Sequence, residues 1–284
     1  MSSRPISVVV TGANRGIGYA IVEFLMNNPP VTPLDVIATA RQVPDSPFPD
    51  GGDTKISWHA VDISDKASIS SFASGLKKSR PHGIDVLINN AGVNLDTHNP
   101  PGLDISRRTL ETNYYGTMAM TEAILPLMQD TSTSAALKNR RIVTLSSAGS
   151  KAPSSTQKKA LADCTSLDQI SQIGDSYLSA VSKGQEEAED WPKGLSYSVS
   201  KSMLNAAMMV LAKENPDLRI SSCCPGWCST DTGKQTGSPA KTPAEGAVIP
   251  LKLAFGDVGE TSGKYWENPS VSDRGDGKVA DWTK

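Results

Sequence analysis

Long apolar runs are missing from this 284-residue sequence. A membrane-spanning helix needs about twenty consecutive apolar residues, and no stretch approaches that. The start, Met-Ser-Ser-Arg-Pro, lacks a signal-peptide apolar core, and Ile6–Val10 runs directly into a Gly-rich turn. Excess charge of one sign is also missing. The 28 Lys+Arg against 30 Asp+Glu leave a net charge of −2, so there is no bulk pull toward nucleic acid or anionic membrane. Histidines number three and cysteines four, with no paired C-x-x-C spacing, so no metal site is expected. Cys223 and Cys224 are adjacent and therefore poorly placed to bridge each other. The simple reading of Cys164, Cys223, Cys224 and Cys228 is buried, reduced thiol; a reactive Cys224 near a pocket is the alternative. Apolar residues at 38% and charged residues at 20% fit a soluble globular protein, expected to be cytoplasmic.

What is present is a rhythm. Short apolar stretches at 6–10, 34–40, 56–61, 84–88, 141–145 and 218–224 read as strands. Helical patterns at 16–26, 66–77, 107–128, 197–213 and 244–253 fall between or after them. Alternation of this kind predicts an α/β fold, a doubly wound parallel sheet with helices on both faces. Two segments break the rhythm. Residues 41–54, dense in proline and ending near a Gly pair, read as a surface loop. Residues 148–194 read as a helical insertion before the 197–213 helix, with one or two short helices over 166–181. Both flanks of the insertion belong to the same sheet, so residues 1–284 are expected to form a single domain.

The first strand ends in Thr11-Gly12-Ala13-Asn14-Arg15-Gly16-Ile17-Gly18 and leads into a helix. Glycines there let the backbone approach a pyrophosphate, and the helix N-terminus adds free N–H groups and a favourable dipole. The spacing G-x-x-x-G-x-G differs from the standard G-x-G-x-x-G fingerprint. NAD-specific sites usually place an acid at the end of strand two. Here that strand ends Ala38-Thr39-Ala40 and Arg41 follows. Arg15 and Arg41 converging on one end would neutralise a 2′-phosphate, so NADPH/NADP+ is the expected cofactor.

Tyr197 and Lys201, four apart on a predicted helix, share a face. A nearby ammonium favours tyrosinate and is expected to lower the phenol pKa from about 10 toward neutrality. Such a phenol can hand a proton to an oxygen as hydride reaches the adjoining carbon. Ser147 at the end of strand five can donate to the same oxygen. Alone, a Tyr and a Lys at this spacing are more often plain helix surface. Convergence gives them weight, because ligand sites of such sheets lie outside the carboxyl ends of the strands.

Four motifs in order carry a resemblance along nearly the whole chain. These are the Gly-rich turn, Asn89-Asn90-Ala91-Gly92, Ser146-Ser147 with Tyr197-x-x-x-Lys201, and Pro225-Gly226. The chain resembles the short-chain dehydrogenase/reductase family. Asn14-Arg15-Gly16-Ile17-Gly18, Cys223-Cys224-Pro225-Gly226-Trp227, Thr230-Asp231 and the insertion resemble its monomeric NADPH-dependent carbonyl reductases. The resemblance implies Ser147 rather than Ser146 as catalytic serine, Lys201 as a holder of the nicotinamide ribose, and Asn113 as the holder of a water linking Lys201 to solvent. It also implies that Asp62 and Ile63 line the adenine and that Asn89, Ala91 and Gly92 lie along the adenine-side ribose and central strands. Pro225-Gly226 would turn the chain over the nicotinamide, with Thr230 near its carboxamide or the phosphates. Trp227 is either an apolar substrate wall or a residue packed in the base of its loop. The insertion either keeps the enzyme monomeric or forms a new contact.

The expected activity is NADPH-dependent reduction of a ketone, aldehyde or quinone. The same residues serve an NADP-dependent dehydrogenase of sterol, sugar or polyol alcohols. A non-catalytic NADPH-sensing regulator on the same fold is a further alternative.

Overall fold

The structure, a computed structural model, describes residues 4–44, 48, 52–128 and 140–284. The expected alternation is there. Strand β1 (Ile6–Val10) leads to α1 (Gly16–Asn27), β2 (Leu34–Ala40), β3 (Thr54–Ala60), α2 (Lys66–Ser79) and β4 (Val86–Asn89). Then come α3 (Leu103–Leu110), a π-helical turn (Glu111–Gly116), α4 (Thr117–Met128) and β5 (Arg141–Leu145). The insertion contributes a 3₁₀ turn (Ala148–Lys151), α5 (Ser155–Ala162) and α6 (Leu167–Lys183), before α7 (Ser196–Glu214) and β6 (Arg219–Cys223). The chain closes with α8 (Asp231–Lys234), α9 (Pro243–Phe255), β7 (Lys264–Glu267) and β8 (Lys278–Ala280).

Among the described residues the strands form one sheet in the order β3-β2-β1-β4-β5-β6-β7-β8. All neighbours are parallel except β7 and β8. Strand alternation divides the core between the two faces. Val9 packs with α2, α4 and α7 residues such as Phe72, Ile124 and Met208, whereas Val8 and Val10 pack with Ile21, Leu25 and Ile249 of α1 and α9. Strand order reverses at β1 and β4, so the connections leaving them diverge and open a crevice at the sheet's carboxyl edge.

Three details differ from the sequence reading. The helix expected over 107–128 starts at Leu103 and is interrupted by the π-helical turn. That turn ends where Gly116 passes the loop after β3 so closely that a Cβ would sit 2.2 Å from the Ile63 carbonyl oxygen. Residues 167–183 form a single helix, one of the two alternatives, but of 17 residues rather than short; it is capped by the Ser166 hydroxyl on the Gln169 amide and closed by Gly184 in the left-handed region. Strands β7 and β8 were not anticipated; they are four and three residues long. Part of the loop expected at 41–54 lies outside the described residues.

Candidate active site

The crevice is a cleft of about 1250 Å³ lined from the ends of β1, β2, β4, β5 and β6. Its floor is the Gly-rich turn. Gly12 and Gly16 have φ of +64° and +57°, which a side chain disfavours. A Cβ on Gly18 would lie 2.3 Å from the Gly12 carbonyl oxygen, so the first turn of α1 sits directly on the turn before it. Asn90 fastens this floor from β4: its Nδ2 donates to the Thr11 and Gly12 carbonyls at 2.8 and 3.0 Å. The Thr11 hydroxyl in return accepts from the amides of Asn90 and Ala91, both at 3.0 Å.

At one end the cleft is charged and open. Asn14, Arg15, Arg41, Asp62 and Ile63 line it. Asp62 accepts from the Ser64 hydroxyl and amide at 2.6 and 2.9 Å. These bonds, with Arg41 adding a smaller pull, hold its carboxyl below the usual range. Arg15 and Arg41 line the same end, and the Arg15 side chain is engaged there. Its Nη1 donates to Asp231 across the cleft at 2.8 Å, with the two side chains 62% and 69% exposed.

At the other end the polar groups are buried. Lys201 donates to the Leu145 carbonyl at 2.8 Å, and its Nζ lies 5.5 Å from the Tyr197 ring centre. The Ser147 side chain hydrogen-bonds the Tyr197 phenol and also caps Gly149 at 3.1 Å. Ser146 points away, its hydroxyl on the Lys201 carbonyl at 3.1 Å. The expected lowering of the tyrosine pKa is not what the structure gives. Burial pushes Tyr197 up to about 12, with the Ser147 bond pulling back. Burial brings Lys201 down to about 8, opposed by Cys223 and Cys224. Desolvation outweighs the neighbouring cation because both groups are taken out of water.

Three expected site residues stand behind the cleft wall rather than in it. Gly18 acts through close packing, as above. Asn89 is buried and donates to the hydroxyls of Thr121 and Thr144 at 2.9 and 3.3 Å; the cleft residue of that pair is Asn90. Asn113 is fully buried. Its side chain accepts from the Val93 amide and donates to the Val93 carbonyl, both at 2.8 Å, and donates to Ser200 Oγ at 3.0 Å. Its amide hydrogens are thus committed to protein acceptors rather than to water.

The remaining expected residues, Gly12, Gly16, Ile17, Ala91, Gly92, Pro225, Gly226, Trp227 and Thr230, all line the cleft. Gly226 has φ of +89°, and beneath it the buried Lys241 donates to the Pro225 carbonyl at 2.8 Å. Trp227 is half-buried and lines the cleft, and it is fixed to its loop by an Nε1 bond to the Gly233 carbonyl at 2.9 Å. Thr230 caps α8 through Gly233 at 3.0 Å. Burial raises the thiols of Cys223, Cys224 and Cys228, the last to about 11. Among the described residues no group of His, Cys, Asp or Glu is placed to hold a metal, and no helix is long and apolar enough to cross a membrane. Sequence reasoning missed Asp96 and Lys241, which belong to no local motif. Asn90 was visible in the Asn-Asn-Ala-Gly motif but was not singled out.

Fold and cleft define the class: a doubly wound α/β oxidoreductase with its ligand crevice at the reversal of strand order. The chain belongs to the short-chain dehydrogenase family, whose sequence model matches residues 7–159. A (+)-neomenthol dehydrogenase from Capsicum annuum is 32% identical, covering 93% of this chain and 96% of that protein. Carbonyl reductase [NADPH] 1 from Bos taurus is 30% identical over 90% of this chain and 92% of its own. The solved structure of salutaridine reductase from Papaver somniferum superposes with a TM-score of 0.74 at 26% identity, covering 92% and 99%.

Proposed function

We propose that this protein reduces a ketone, aldehyde or quinone carbonyl with NADPH. The observation that carries the reading is the meeting of Ser147, Tyr197 and Lys201 in a buried pocket at the sheet's carboxyl edge. The cleft suits a dinucleotide. Its floor excludes Cβ atoms at Gly12 and Gly18, where a Cβ would come within 2.9 and 2.3 Å of backbone. Gly12, Asn14, Gly16, Ile17, Asp62, Ile63, Ala91, Gly92, Pro225, Gly226 and Thr230 would hold it. Arg41 faces the end where a 2′-phosphate would lie, and Arg15 would join it by leaving Asp231. When bound, the cofactor supplies a hydride from its nicotinamide.

The chain's own residues supply the proton and the field. A phenol with a pKa of about 12 stays protonated across the neutral range, so Tyr197 is always charged with the proton it must give. Lys201, near 8, is mostly cationic at neutral pH and stabilises the tyrosinate left behind. Ser147 donates to the substrate oxygen as negative charge develops there. Trp227 lies against the substrate as an apolar wall. Asn113 acts through the main chain of Val93 and through Ser200. The face of α7 that α6 packs upon is covered, which supports a monomer, and a cytoplasmic location is part of the same proposal.

A second reading is oxidation of a secondary alcohol with NADP+. It is favoured by the name of the Capsicum annuum relative, a neomenthol dehydrogenase. One experiment separates the readings. Nicotinamide absorbance is followed with a panel of ketones, aldehydes and quinones plus NADPH or NADH, and with the matching alcohols plus NADP+. Turnover of carbonyls with a higher kcat/KM for NADPH is expected. A preference for NADH, or turnover of alcohols alone, would overturn the first reading.

A further inference from the structure

Helix α7 carries Tyr197 in its first turn, yet its own N-cap residue, Leu195, makes no side-chain capping bond. Orphan amides at such an end need a partner. It comes from a hundred residues earlier in the chain. Asp96, in the loop after β4, accepts from the Tyr197 amide at 2.8 Å and from the Ser196 hydroxyl at 2.5 Å. A carboxylate is among the groups a helix N-terminus favours, as acceptor and as charge.

The loop that presents Asp96 is itself fixed. The Asp96 amide donates to Asn94 Oδ1 at 3.2 Å, and Val93 is clamped at both its amide and carbonyl by Asn113. Asn113 reaches the tyrosine a second way: its Nδ2 donates to Ser200 Oγ, which donates to the Tyr197 carbonyl at 2.7 Å. Both main-chain groups of Tyr197 are therefore held by side chains tied to one short loop, 93–96. The phenol is left to Ser147 and the cleft.

We infer that Asp96 is a positioning residue for the reaction, an external cap that sets where Tyr197 stands relative to Ser147 and Lys201. This rests on Tyr197 being the proton donor. Small displacements of a reacting group lower rates by up to about 100-fold, so Asp96→Ala should lower kcat about 10- to 100-fold. NADPH affinity should stay within about twofold, because Asp96, though it lines the same cleft, bonds to the first turn of α7 and to Asn94 rather than to the arginine end or the Gly-rich floor. Asp96→Asn keeps an acceptor for the Tyr197 amide and should recover most of the rate.

The test joins steady-state kinetics and NADPH titration to amide hydrogen exchange of the 195–201 segment, which needs no turnover. Faster exchange there in Asp96→Ala, slowed again in Asp96→Asn, together with the kcat-specific loss, is the expected result. Unchanged exchange overturns the inference, whether or not the wild type reduces carbonyls. So does a loss of kcat shared equally by NADPH affinity and not recovered by Asn, which marks general unfolding. Should Asp96→Ala not fold, Ser196→Ala removes one of the two bonds and should show the same effects, smaller. Wild-type exchange in that variant likewise overturns the inference. Absence of turnover in the wild type, by contrast, counts against the proposed reaction and leaves the exchange result to decide the role of Asp96.

Discussion

The two ends of the cleft use charge in opposite ways. At the Arg15 end the groups are exposed, and Arg15 and Asp231 meet in water. At the Tyr197 end the groups are withdrawn from water, and burial moves Tyr197 up and Lys201 down. Ion pairs in water contribute little and are screened by salt. Desolvated groups have their protonation set by their surroundings. The open end is thus suited to recognition that can be exchanged, and the closed end to a fixed proton inventory.

The sharpest way to break this comparison is Tyr197→Phe. Loss of a general acid lowers rates by about 10²–10⁴-fold. That drop in kcat is expected, with NADPH binding, read by fluorescence titration, changed by no more than about twofold. At the open end, Arg41→Ala should lower the NADPH-over-NADH ratio of kcat/KM by about 10- to 100-fold, as expected for charged hydrogen bonds of about 1.5–3 kcal/mol. Arg15→Ala should do less, since Arg15 must first leave Asp231. An unchanged ratio in both variants would show that the open end does not select the cofactor.

The pH dependence sharpens the contrast further. Carbonyl reduction should hold steady below pH about 8 and fall by about tenfold per unit above it, as Lys201 loses its charge. Stability should move the other way. The folded value, about 8, lies below the unfolded value of 10.5, so between these pH values the unfolded chain binds more protons. Stability contributed by Lys201 therefore rises from about 8 to 10.5 and is lost as pH falls back through about 8. Thermal melts of wild type and Lys201→Met should converge as pH climbs through that window. The smallest effect belongs to Asp231→Asn: a stability change under about 1 kcal/mol in a urea titration, and diminishing at high salt.

Much of this molecule was legible in its sequence where one segment carries a complete local signal. Gly12-x-x-x-Gly16-x-Gly18 states a backbone requirement, and the near-continuous apolar strands state their burial on both faces. Tyr197 and Lys201 announce a shared helix face. What was not legible depends on distant groups meeting. The spacing of Tyr197 and Lys201 shows the cation but not the desolvation that outweighs it. The Arg15–Asp231 pair was not foreseen, because nothing local says that Asp231 lies across the cleft. Asn89 and Asn90 are neighbours of one type, and only strand geometry decides which faces the crevice. Asp96 caps a helix one hundred residues away, and no window of sequence holds both partners. Strands β7 and β8 are too short for an alternating pattern to declare itself.

The π-helical turn at 111–116 also matters for insertions and deletions. In a regular α-helix, removing one residue rotates everything beyond it by about 100°. A π-helical turn already contains a surplus residue, the form a single-residue insertion takes inside a helix. Shortening this stretch by one would let α3 and α4 join as one regular helix while both kept their faces toward the core. What it would displace is the Asn113 position and, with it, the anchor of Val93. The turn therefore lets the helix change in length while its packing stays put, and ties the resulting fault to the cleft.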